Sequence, residues 1–233
     1  MSQALRPVPS VAARERRLAA LLEERGLRSD DALLAGLVED AQLLGSLDLA
    51  GLRSTWDEVR TSRATGEGPV AVLALRRALA AVPRGAPLSV GAVRAWHEAL
   101  AGPVGFRTGE RRRDGAPPAS ASRVEERLGN LVDWIETAAT RDLKPNQAAA
   151  VALARFVEIL PFEDANGRVS RLAASHLMVR GGMRPPILVV GDAARLRDAI
   201  ESAFRLETGP LVALLVEASG RALDVMIQSL GAR

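Results

Sequence analysis

The chain has 233 residues, 48% of them hydrophobic and 25% charged, the profile of a globular domain with an ordinary core. It has no cysteine and two histidines, His97 and His176, which excludes disulfides, thiolate chemistry and a multi-histidine metal centre. The net charge is only +3, although the pI is about 10.6. Lys144 is the only lysine, and with no tyrosine or cysteine to titrate, a small arginine excess lifts the pI. Basicity is therefore weak evidence for nucleic acid, and no recognition motif or clustered basic helix adds to it. The Ala- and Arg-rich, Lys-poor usage fits a high-GC coding bias and an expected bacterial source. The opening MSQALRPVPS lacks the apolar segment of a secretory signal, and no run approaches about 18 apolar residues. No membrane partner and a cytoplasmic location are expected.

The apolar periodicity is helical almost throughout. Leu18, Leu21 and Leu22 form a stripe in a first helix that Ser10 can cap and Gly26 can end. Helices are expected over about 30–44, 49–60 and 69–82, the last opened by Pro69 and stopped by Pro83. Ser89 can cap 90–100, and Ser122 with Glu125 forms a capping-box pattern ahead of Leu128, Leu131, Val132 and Ile135. The stretch 147–159 is apolar on nearly all sides, the mark of a central helix. Further helices are expected over 167–180, 192–204 and 210–227. Ile187–Val190 reads as a brief strand. The polar stretch 106–121 reads as a surface loop or short hairpin. Thr61–Gly68 separates an N-terminal helical region, 1–68, expected to pack on the core, from a main body, 69–233. Trp56, Trp96 and Trp134 are expected in the core.

The chemistry concentrates in Leu160–Arg171, LPFEDANGRVSR. The central helix ends near Ile159, because Pro161 cannot continue it. A tight polar loop follows, and a new helix starts with Arg168 and Arg171 in its first turns. Exposed N–H groups at a helix start, a glycine at 167 and two arginines three apart on one face make an anion cradle. Asp164 beside it can hold Mg²⁺ bridging phosphate oxygens. Glu163 is a second candidate ligand or a solvated loop charge. A diphosphate-bearing ligand fits these parts; so does a plain helix–loop–helix corner with solvated charges.

The stretch resembles the Fic (Fido) family signature, His-Pro-Phe-x-Asp/Glu-Gly-Asn-Gly-Arg-x-x-Arg. Pro161, Phe162, Asp164, Asn166, Gly167, Arg168 and Arg171 match it in register. Trp96–Thr108, Pro117–Pro118 with Leu131–Trp134, and Gly181–Val190 are also similar to family segments. The resemblance implies a mainly α, Fic-like helical fold with a short β-hairpin flap and an N-terminal helical extension. It implies transfer of AMP from ATP, with Mg²⁺, to a protein hydroxyl. Asn166, Gly167, Arg168 and Arg171 are the implied nucleotide-binding residues, Asp164 the metal ligand, and Arg107 and Thr108 belong to the flap.

Two departures stand out. Leu160 occupies the position of the family's general-base histidine, and leucine can neither accept a proton nor hydrogen-bond. Ala165 replaces a glycine, at a cost of about 1 kcal/mol if the loop needs positive φ there. His97 lies far upstream, and His176 sits two to three helical turns beyond the loop, so neither replaces the histidine by sequence. The family's autoinhibitory Ser/Thr-x-x-x-Glu-Gly pattern aligns best with Ser46–Gly51: Ser46 and Gly51 match, Ala50 stands in place of the Glu, and Asp48 is two residues early. Arg111–Arg113 reads as a solvated run or an electropositive lip. Three functional readings follow. The first is a nucleotide-binding Fic-fold protein impaired as a transferase. The second is an active transferase with a non-histidine base. The third is a helical interaction module with a relic pocket.

Overall fold

A computed structural model describes residues 10–111, 117–137 and 142–231. Ten α-helices occupy them, in the order α1 (Val11–Glu24), α2 (Ala32–Asp48), α3 (Trp56–Thr65), α4 (Val70–Ala81), α5 (Val90–Ala101), α6 (Val124–Glu136), α7 (Pro145–Ile159), α8 (Asn166–Arg180), α9 (Ala193–Phe204) and α10 (Gly209–Gly231). No strand occurs among the described residues.

α7 is the hub. Ala149, Ala150, Ala152, Leu153, Ala154, Phe156 and Ile159 are buried on it, and α6, α8, α9 and α10 pack around it. Its small alanines let those neighbours come close. α7 and α8 pair antiparallel across the short loop 160–165. At their far ends a Cβ added to Gly181 would lie 2.3 Å from the Pro145 ring, so only glycine fits that approach. α1 packs on α10, and α2 contacts α3, α4, α8 and α10. Gly45 presses α2 against the 187–188 segment, where a Cβ would sit 1.9 Å from the Leu188 carbonyl oxygen.

Local cap signals place most boundaries. The Ser10 and Ser89 side chains accept from Ala13 and Ala92 N–H, and Gly26 closes α1 at φ 61°. Four expectations are corrected. The helix expected over 49–60 does not form as such: α2 runs on to Asp48, a turn through Gly51 (φ 73°) follows, and α3 begins behind a reciprocal Thr55–Glu58 capping box. Ser122 does not cap α6; Glu110 instead accepts from Ser120 Oγ and Ala121 N–H ahead of a 3₁₀ turn over Ala121–Arg123. Residues 187–190 form no strand, because Ile187 N–H donates to the Ala218 carbonyl in α10 and Val189 N–H to Asp192. Trp96 is buried at 2% exposure, but Trp134 is 42% exposed.

The expected hairpin is also without strand pairing in its described part, 106–111 and 117–121. The physical reason is Arg107. Its guanidinium is buried and donates to the carbonyls of Gly109 (2.8 Å), Leu160 (2.6 Å), Ile159 (3.3 Å) and Ala119. Two of those acceptors, Gly109 and Ala119, belong to the segments a ladder would join.

Candidate anion site at the start of α8

The loop from Leu160 to Asn166 is held by backbone geometry and one side chain. Leu160 caps α7 in the left-handed region at φ 48°. Ala165 precedes α8 at φ 57°, ψ 2°. A non-glycine residue in that region costs about 1–2 kcal/mol. The loop therefore keeps the positive φ that glycine would supply, and Ala165 strains to hold it. Asn166 spends both amide groups on Phe162: its Oδ1 accepts the Phe162 N–H at 2.9 Å, and its Nδ2 donates to the Phe162 carbonyl at 2.8 Å. Asn166 thus shapes the loop through its Oδ1 and one of its two Nδ2 hydrogens. α8 starts without a side-chain cap, which leaves the first-turn N–H groups of a four-turn helix unclaimed by side chains. At Gly167 a Cβ would sit 3.2 Å from Arg171 Nη1, so a larger residue crowds the arginine.

Arg168 and Arg171 follow one turn apart. Neither has a carboxylate partner among the described ion pairs. Arg171 reaches α2 instead: Nε donates to Ser46 Oγ at 3.1 Å and Nη2 to the Ser46 carbonyl at 2.8 Å. Burial, with the like charge of Arg168 adding to it, pulls the Arg171 guanidinium down to about 10. It is a desolvated cation held by neutral oxygens near the C-terminal end of α2, where the helix dipole favours positive charge.

The segment before the described gap lies across the loop. Arg107 N–H donates to the Pro161 carbonyl at 3.0 Å, and Arg111 donates to the Glu163 carbonyl at 2.8 Å and to its carboxylate. The Arg107 side chain is therefore a buried staple under the loop. Thr108 is exposed. Arg112 and Arg113 lie outside the described residues. Asp164 projects with 69% of its side chain exposed.

Sequence reasoning missed His97. Its ring stacks on Phe162, with centroids 3.8 Å apart and 7° between planes, and its Nε2 lies 3.7 Å from Asp164 Oδ1. Both ring nitrogens are buried without a hydrogen-bond partner. Burial lowers its affinity for a proton; Asp164 raises it and Arg168 lowers it further. The available signal was a histidine within the buried stripe Ala92, Val93, Trp96 of α5. Of the aligned inhibitory pattern, Ser46 reaches Arg171, while Ala50 and Gly51 sit exposed in the turn beyond α2. His176 is remote from the loop: its Nε2 donates to the Ala86 carbonyl at 2.8 Å.

Residues 87–178 match the Fic/DOC family. The matched stretch runs from the approach to α5 through most of α8. It is 35% identical over 95 residues to protein adenylyltransferase fic-1 of Caenorhabditis elegans, across 41% of this chain and 19% of that protein. It is 27% identical over 116 residues to protein adenylyltransferase Fic of Nematostella vectensis, across 50% of this chain and 27% of that one. The chain thus spans about a fifth to a quarter of these relatives. A Fic domain containing signalling protein from Bacteroides thetaiotaomicron shares the fold at TM-score 0.76 and 18% identity, over 96% of this chain and 97% of that one. Fic-1 of C. elegans does so at TM-score 0.74 and 21% identity, over 95% and 74%.

Proposed function

We propose that this chain binds a nucleoside polyphosphate, ATP in the first instance, at the start of α8, and that it is impaired in passing AMP to a protein hydroxyl. One observation carries the reading. Two guanidinium groups stand one turn apart beside an uncapped helix start, and neither has a carboxylate partner among the described ion pairs. Phosphate oxygens are the ligand such a cradle favours. The relatives named protein adenylyltransferase support the nucleotide class.

Mg²⁺ fits the donors present. Such an ion usually takes one or two carboxylates and fills its shell from phosphates and water. Asp164 offers one exposed carboxylate, and no cluster of three or more ligating side chains occurs among the described residues. Bound there, the ion would neutralise phosphate charge. The chain's own residues would hold the polyphosphate through Arg168, Arg171 and the first-turn N–H groups. The Leu160 side chain has no atom to accept the proton of an attacking hydroxyl, and a positioned base contributes about 10²–10⁴-fold.

Thermal unfolding with MgATP tests the binding half: a saturable rise in Tm is expected, and no rise with any nucleotide leaves an interaction module. Labelled ATP with purified chain and a cell lysate tests the second half. No protein label is expected, and efficient labelling overturns the impairment. Leu160→His with Ala165→Gly is expected to restore labelling.

A further inference from the structure

A cavity lined by neither Arg168 nor Arg171 runs along α8 from Leu172 to Val179. It encloses about 160 Å³ between α2, the end of α4, α5, α8 and residues 183–185. That is the scale at which an apolar protein cavity, at about 150 Å³, takes a benzene-sized body. Its walls are mostly aliphatic, with the buried ring of Trp96 among them. The polar exceptions fall into two groups.

The inner group is already organised. Gln42 Nε2 donates to Ser175 Oγ at 2.7 Å, which leaves the Ser175 hydroxyl proton to give. His176 donates through Nε2 to Ala86, so its other ring nitrogen is an acceptor, and its ring meets Trp96 edge-on at 5.5 Å. The rim group is charged. Arg84 and Arg184 both line the cavity, with Glu39. Glu39 is committed to Arg76 at 2.8 Å and lies 3.9 Å from Arg84. Arg184 donates to the Ser29 carbonyl and has no carboxylate partner among the described ion pairs. Of the two rim guanidinium groups, Arg84 thus meets only a carboxylate that Arg76 already holds, and Arg184 meets none among the described ion pairs.

We propose that this cavity binds a small carboxylic acid with an apolar body about the size of one ring. The body fills the space against Trp96 and Leu172, and the carboxylate meets Arg84 and Arg184 at the mouth. A cationic ligand finds the wrong sign at the rim, and a neutral one leaves those charges unused. The proposal is independent of the reading of the α8 start.

Trp96 is the reporter. In a Trp56→Phe, Trp134→Phe background it is the one tryptophan left of three. Phenylacetate and its neutral isostere phenylacetamide are titrated against this variant. Phenylacetate is expected to change Trp96 emission saturably, and the amide to bind about tenfold more weakly. Arg84→Glu alters a side chain that is 72% exposed, so the fold is not at stake. It is expected to weaken the acid by about tenfold and leave the amide unchanged. No saturable response to either compound overturns the site. Equal affinity for acid and amide, or indifference to Arg84→Glu, overturns the ligand class.

Discussion

Two charges that meet at α2 are handled in opposite ways. Asp40 on α2 is fully buried and fully answered: Arg63 Nε reaches one oxygen at 3.0 Å and Arg76 Nη2 the other at 2.9 Å. Arg76 is satisfied in turn by Glu39, Ser62 and the Val59 carbonyl. That network ties α2, α3 and α4 together. Arg171, on α8, meets the same helix two turns further on, yet among the described residues it is given a serine hydroxyl and a carbonyl and no carboxylate. A charge with a complete set of partners is structural. A desolvated charge with neutral partners retains its attraction for an anion, and that is the feature of a binding group.

Substitution should separate the two cases sharply. Asp40→Ala leaves two arginines around a buried void of charge and is expected to destabilise by about 3–5 kcal/mol, measured by urea unfolding. Arg171→Met should be close to neutral in the same assay, within about 1 kcal/mol, because an unneutralised buried cation costs much of what its hydrogen bonds return. Its loss should appear in ligand binding, with MgATP or pyrophosphate weakened by at least about tenfold. If Arg171→Met unfolds the chain as Asp40→Ala does, the comparison collapses. A pH series sharpens it. The Arg171 guanidinium sits at about 10, so polyphosphate affinity should fall as pH rises through that value.

His97 and His176 extend the comparison to weaker charges. Burial is the largest influence on both and lowers the pKa of each from the ordinary 6.5. The unfolded chain therefore takes up protons that the folded chain refuses. Their contribution is complete above about pH 6.5 and is lost as pH falls toward the folded values. Stability is expected to decline on acidification below that point. His97→Phe, which can keep the stack on Phe162, should reduce the slope. An unchanged slope would place the proton uptake elsewhere.

What the sequence makes legible is what is locally encoded. Ser10, Ser89, Pro69 and Pro83 mark ends that the structure keeps, because caps and prolines act within one turn. The α2–α3 boundary was hidden because Leu49 and Leu52 carry the apolar rhythm through a turn. Among the described residues neither strand expectation is met, and the reason is tertiary: Arg107 and α10 take backbone groups that a ladder needs. The site is legible to a similar degree. The loop, the uncapped helix and the two arginines follow from twelve consecutive residues. The oxygens that meet Arg171 come from 125 positions away, and the ring under Phe162 comes from α5, so neither shows in local pattern.

The smallest expected effect concerns the loop's own strain. Ala165 holds φ 57° with no glycine to ease it. Relief of that strain is worth about 1–2 kcal/mol, and the extra freedom of glycine in the unfolded chain removes about 0.4–1 kcal/mol of the gain. Ala165→Gly should therefore stabilise by about 0–1.6 kcal/mol. A glycine introduced at a helical position such as Ala173 on α8, where φ is already favourable, should instead destabilise by about 1 kcal/mol or more. The sign difference between the two variants is the test. If Ala165→Gly destabilises as well, the left-handed turn is not the loop's resting shape, and the unclaimed N–H groups at the start of α8 lose the support that aims them at an anion.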